Sequence, residues 1–231
     1  MTRKKPNNDL FSIQKMKIQV AVDYALQPPL EKGDARPALI LCLHGYGQTS
    51  IKFIRLFRSL HFRNIIAVAP QAPNAFYIKM RPKTIGFTWL TKYERDRAVQ
   101  DFVGYMELLL SDLYQKQEFD TNRIFLLGFS QGVSMALRFA VSSFIRPAGV
   151  IACGGDLPED VEQKLQGLKN KFPIFICHGR EDTIVPLEVA RKAERKYAES
   201  GHSTTEFYFP GGHEIPPELV ARIADWVEEM Q

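Results

Sequence analysis

The chain has 231 residues, 45% hydrophobic and 24% charged, ordinary values for a globular protein with material for one sizeable core. Its formal net charge is +4, the basic residues are spread along the sequence, and the cluster Arg3-Lys4-Lys5 reads as a solvated tail, so no nucleic-acid partner is expected. No apolar run approaches membrane-spanning length and MTRKKPNNDL lacks the apolar stretch of a signal peptide, so no transmembrane segment is expected and the default location is cytoplasmic.

Residues 1–16 read as a flexible N-terminal segment, and 17–231 as a single domain. Lys17 to Tyr24 alternates in strand fashion. Ala38–Leu43 reads as a buried parallel strand, Ser50 to His61 as a helix, and Ile65–Ala69 as a short strand stopped by Pro70. Gln71 to Lys92 is a long proline-rich connection with Phe76, Tyr77, Phe87 and Trp89. It is either a functional loop or an excursion whose aromatics pack on the core. Tyr93 to Lys116 has helical periodicity, with an apolar face through Phe102, Met106, Leu109 and Leu113. Arg123–Leu127 is strand-like, and a helical pattern follows from Val133 to Ala140. Strands are expected over Ala148–Cys153, Pro173–His178 and Thr204–Phe209, and helices from Pro186 to about Glu199 and from Pro216 to Glu229. This alternation is the α/β pattern, in which a mostly parallel central sheet is flanked by helices. Cys42, Cys153 and Cys177 fall in or beside these strands with no metal-type spacing, which suits small core side chains rather than a disulfide frame.

Gly128-Phe129-Ser130-Gln131-Gly132 lies between a predicted strand and a predicted helix. Gly-x-Ser-x-Gly in that setting is a nucleophile elbow, a sharp turn that presents its serine and needs small neighbours. A serine hydroxyl needs a base, the base an orienting carboxylate, and the oxyanion a set of donors. Glu181 and Asp182 follow a late strand, and His213 sits after Gly211-Gly212 beyond the last one, the chain order that this chemistry uses on an α/β sheet. His44-Gly45-Tyr46-Gly47 follows an early strand, where one oxyanion donor is expected, and no phosphate-binding glycine pattern accompanies it. His61 and His202 look like surface residues at helix ends, and His178 like a structural residue ending a strand.

With these residues in place, the chain from about Pro37 onward resembles the phospholipase/carboxylesterase family of α/β hydrolases, which includes acyl-protein thioesterases and small bacterial carboxylesterases. The resemblance rests on Leu43-His44-Gly45-Tyr46-Gly47, Gly128–Gly132, His178-Gly179-Arg180-Glu181-Asp182-Thr183-Ile184-Val185-Pro186 and Gly211-Gly212-His213-Glu214-Ile215. It implies an α/β-hydrolase fold with no large cap domain, and Ser130 as nucleophile, His213 as base and Asp182, rather than Glu181, as acid. It also implies the backbone N–H groups of Tyr46 and Gln131 as oxyanion donors, no metal or organic cofactor, and a monomer or homodimer. The expected reaction is hydrolysis of a small-molecule or lipid-type ester, or a thioester, through an acyl-enzyme. Phe87, Trp89 and Phe129 are candidate acyl-pocket residues, although Phe129 equally suits the core. The chain departs from the family pattern at Val133, where a second glycine is frequent, and at Thr88-Trp89-Leu90-Thr91, where Trp-Phe-Asp is frequent. The same three side chains also serve an amidase or peptidase, and the fold also serves as a non-catalytic binding protein.

Overall fold

The computed structural model describes residues 12–230 apart from Lys17 and Lys32. In chain order the elements are β1 (Tyr24–Gln27), β2 (Ala38–Leu43), α1 (Ser50–Ile54), β3 (Ile65–Pro70), β4 (Asn74–Met80), β5 (Lys83–Thr88), α2 (Arg95–Lys116), β6 (Ile124–Phe129), α3 (Gln131–Ser142), β7 (Gly149–Cys153), α4 (Glu159–Gly167), β8 (Ile174–Gly179), α5 (Leu187–Glu199), β9 (Thr204–Phe209) and α6 (Pro217–Glu229). Seven strands make one sheet in the order β1-β3-β2-β6-β7-β8-β9. Only β1 runs antiparallel, against β3 at one edge.

The central strands are continuous apolar runs because both faces of the sheet are covered. Side chains alternate across a strand, so Leu39, Leu41 and Leu43 join a core with α2, α3, α4 and α5. Ala38, Ile40 and Cys42 join the opposite core with α1 and α6. The three cysteines are buried free thiols within this packing, and burial pushes the Cys42 thiol far above its ordinary pKa.

Several elements differ from the sequence expectation. Residues 1–11 and Lys17 lie outside the described residues. The alternating Ile18 and Val20 are 74% and 64% exposed, and strand pairing begins only at Tyr24, where β3 offers a partner edge. The expected helix from Ser50 to His61 is α1 followed by a 3-10 segment, Arg55–Phe62, with a break at Phe57. The irregular connection over 71–92 contains the hairpin β4–β5, a ribbon separate from the main sheet. Helix α4 was not expected. Only Val161 and Leu165 are buried along it, one i,i+4 pair, which is too short an apolar stripe to stand out in sequence.

Candidate active site

The end of β6 and the start of α3 form the sharp turn that the glycines predict. Ser130 has φ 53° and ψ −119°, and it and Glu94 are the non-glycine residues with positive φ among those described. The strained serine is held by its N–H donating to the Cys153 carbonyl of β7 at 2.9 Å. A Cβ on Gly128 would lie 2.4 Å from the Gly132 carbonyl oxygen, and one on Gly132 would lie 2.0 Å from that of Leu43. Both obstacles are backbone, so neither can rotate away. Gly132→Ala is therefore expected to lower stability by about 3 kcal/mol, measured as a shift in the urea midpoint; a midpoint equal to wild type would show that the crossing can widen. Val133 fits because Gly155 faces it: a Cβ on Gly155 would fall 2.5 Å from the Val133 side chain.

His213 follows β9 and Asp182 follows β8, so both loops open at the end of the sheet that carries Ser130. His213 Nδ1 donates to Asp182 Oδ2 at 2.7 Å. Asp182 Oδ1 accepts the N–H groups of Ile184 and Val185, each at 2.9 Å. Burial of this carboxylate raises its pKa, but the bonds from His213 and the two backbone N–H groups outweigh burial, and the net shift is downward. The Phe129 ring backs His213 at 4.7 Å between centroids, and a Cβ on Gly154 would sit 3.4 Å from the His213 ring. Since Ser130 follows Phe129 directly and is bonded to Cys153, serine and histidine converge over the ends of β6 and β7.

Two further features complete the site. Tyr46 N–H and Gln131 N–H have no acceptor among the described residues, Gln131 being the first residue of α3. The loop carrying Tyr46 is shaped from below by His44, which is fully buried. His44 Nε2 accepts from the Ala72 N–H at 3.1 Å and the Gln71 amide at 3.0 Å, so its proton sits on Nδ1 and is donated to the Gly45 carbonyl at 2.8 Å. Burial lowers the pKa of His44 and favours this neutral form. A cleft of about 280 Å³ opens beside Ser130 and Gln131, walled by Gly155, Ile184, Val185 and Val189.

The three candidate acyl-pocket aromatics lie elsewhere than in this cleft. Trp89 is buried and its indole N–H donates to the His44 carbonyl at 2.8 Å. Phe87 is half-buried on β5 against the larger core, and Phe129 packs between His213 and Phe53. His178 is buried as expected, with Nε2 donating to the Val185 carbonyl at 2.7 Å, a bond that braces the Asp182 loop. His202 is not a surface residue: it is 4% exposed, donates to the Phe172 carbonyl and packs on that ring. Sequence reading also missed the roles of the Gln131 and His44 side chains, because both act through backbone groups that no motif encodes. Among the described residues, no helix is long and apolar enough to cross a membrane and no side-chain group is arranged to hold a metal ion.

Comparison with known proteins agrees with this architecture. The family described as Phospholipase/Carboxylesterase matches residues 30–231. Acyl-protein thioesterase 1 of Saccharomyces cerevisiae is 29% identical over 208 residues, covering 82% of this chain and 91% of the relative. Lysophospholipase-like protein 1 of Mus musculus is 26% identical over 206 residues, covering 82% and 85%. Among solved structures, esterase PE8 superposes with a TM-score of 0.72 at 24% identity, covering 92% of this chain and 100% of that one. Acyl-protein thioesterase 2 of Zea mays does so with a TM-score of 0.66 at 18% identity, covering 90% and 98%. These two establish the fold, and the family match establishes the rest: the chain belongs to the phospholipase/carboxylesterase family and is a carboxylesterase/lysophospholipase-like hydrolase of the α/β-hydrolase fold.

Proposed function

We propose that Ser130, His213 and Asp182 form the catalytic triad and hydrolyse carboxylic esters or thioesters through an acyl-enzyme. The observation that carries this reading is the 2.7 Å bond between His213 and a buried, doubly backbone-bonded Asp182, next to a serine held at positive φ. Asp182 fixes the His213 proton on Nδ1 and leaves Nε2 free to accept a proton from Ser130 as its oxygen attacks the carbonyl. The carbonyl oxygen becomes an oxyanion held by the N–H groups of Tyr46 and Gln131. The alcohol or thiol leaves, taking the proton from His213 where it needs one. Water, deprotonated by the same histidine, then attacks the acyl-enzyme and releases the acid and the serine. The reading takes residues 17–231 as one catalytic domain, acting in the cytoplasm as a monomer or homodimer on a small or lipid-type ester without a cofactor.

The wall formed by Ile184, Val185 and Val189 supports an apolar acyl group in the cleft. Each buried methylene is worth about 0.8 kcal/mol, so kcat/KM on p-nitrophenyl esters is expected to rise by up to about fourfold per methylene beyond acetate until the cleft is filled. A profile that falls from acetate onward would remove the acyl assignment of this wall. The triad itself is tested by a fluorophosphonate: the expected result is one adduct, on Ser130, located by peptide mass spectrometry. Folded protein that stays unlabelled would overturn the triad.

A further inference from the structure

Among the described residues, the hairpin β4–β5 pairs only with itself. A two-stranded ribbon is marginal alone in water, so its position depends on what its stem is fastened to. It is fastened on two sides, and each lies beside one of the backbone N–H groups assigned to the oxyanion.

On the first side, the Gly47 N–H donates to the Phe87 carbonyl at 2.8 Å, and the Tyr46 ring packs on Phe76 at 4.7 Å. Gly86 lets the strand approach this closely, since a Cβ there would lie 2.6 Å from the Gly47 carbonyl oxygen. On the second side, the Gln131 side-chain amide spans the hairpin's exit. Its Oε1 accepts the Trp89 N–H at 3.1 Å, and its Nε2 donates to the Leu90 carbonyl at 3.1 Å and to Thr88 Oγ1 at 2.9 Å. The Thr88 hydroxyl has two acceptors for its own proton, the Leu90 carbonyl at 3.0 Å and Gln131 Oε1 at 3.1 Å, and both lie within the same network. The Trp89 indole then ties the same exit back to the His44 carbonyl, two residues before Tyr46.

We infer that the hairpin is a brace that sets the spacing of the two oxyanion donors, with Gln131 through its side chain and Gly86 as positioning residues. This rests on the reading of Tyr46 and Gln131 as those donors. The loop around Tyr46 is rich in glycine, with Gly47 at φ +76°, and has little stiffness of its own. Oxyanion donors act over a narrow range of distance, and a misplacement of about 1 Å costs about a hundredfold in rate. The hydrogen-bond pattern also explains the residue type at 131. The exit segment presents one N–H and one C=O, and a primary amide answers both. Methionine of the same length answers neither, and glutamate sets an oxygen against the Leu90 carbonyl.

The test is steady-state hydrolysis of a p-nitrophenyl ester by wild type, Ser130→Ala, Gln131→Met and Gly86→Ala, with inhibition by an alkylboronic acid, whose serine adduct places an oxygen on the donors. Gln131→Met and Gly86→Ala are each expected to lower kcat by about 10- to 100-fold and to weaken boronate inhibition by a similar factor, with KM within about threefold of wild type. They touch opposite fastenings, so a folding defect in one leaves the other to decide. A kcat within about threefold of wild type, or a boronate affinity that does not move, overturns the brace even if the melting temperature falls, because a merely structural staple would give that pattern. Turnover that survives Ser130→Ala would instead overturn the reading of the site, and the brace with it.

Discussion

Ser130→Ala is expected to lower kcat on an activated ester by about 10⁴-fold or more while leaving KM close to wild type. The effect is large because the proposed nucleophile is held in one place: Ser130 stands at the turn between β6 and α3, with glycine at both flanking crossings. A residual rate is expected, since the proposed oxyanion donors and the cleft would still bind and polarise an ester for attack by water. Alanine keeps the Cβ and inherits the positive φ of Ser130, so the variant carries the same backbone strain and should unfold at the same denaturant concentration. That separation makes the experiment decisive. A fall in turnover with an unchanged midpoint assigns chemistry to the hydroxyl, and a variant that keeps a tenth of the activity of wild type returns Ser130 to the scaffold.

Asp182→Asn is expected to cost about 10³- to 10⁴-fold in kcat, nearly as much, by a different route. The asparagine oxygen still accepts from the Ile184 and Val185 N–H groups, which fixes the amide nitrogen at the Oδ2 position facing His213 Nδ1. A donor now confronts a donor, the imidazole takes the other tautomer, and Nε2 carries the proton that it should accept. The wild-type carboxylate also has a stability signature. Its folded pKa lies below the ordinary carboxylate value, so its contribution is fully present above about pH 4 and is lost as pH falls through the folded pKa. Asp182→Asn should therefore flatten the acid limb of a stability profile below about pH 4 while leaving its shape at neutral pH alone. Urea midpoints measured from pH 3 to pH 7 check this; an acid limb of unchanged slope would show that Asp182 is not the group responsible.

What could be read in advance follows from the range of the forces involved. The elbow was legible because strand, turn and helix are contiguous, and Gly128 answers a clash with Gly132 inside the motif itself, whereas the clash that Gly132 answers, with Leu43, is distant in sequence. The parallel strands were legible because two-sided burial leaves an unbroken apolar run. The hairpin was not, because its strands rest on loops instead of a sheet: Tyr77, Met80 and Ile85 are exposed, and the register shifts between Tyr77 and Lys79, which breaks the alternation. His202 was misread since its partner, the Phe172 carbonyl, lies 30 residues away in sequence and no local pattern points to it. The Gln131 side chain has the same difficulty in another form. Its position beside the serine is plain in the motif, but its three partners sit more than 40 residues upstream.

The order of strands bears on how this enzyme fails. The proposed nucleophile and acid, Ser130 and Asp182, leave β6 and β8, inside the sheet, whereas the proposed base, His213, leaves β9, which among the described residues pairs with β8 alone and has exposed residues at Thr205 and Glu206. Edge strands open in local fluctuations that the centre of a sheet does not share. Heat or mild denaturant should loosen β9 first and carry His213 away from Ser130 while the serine is still in place. Inactivation would then run ahead of melting, and turnover would report the fraying of one edge while circular dichroism still recorded an intact fold.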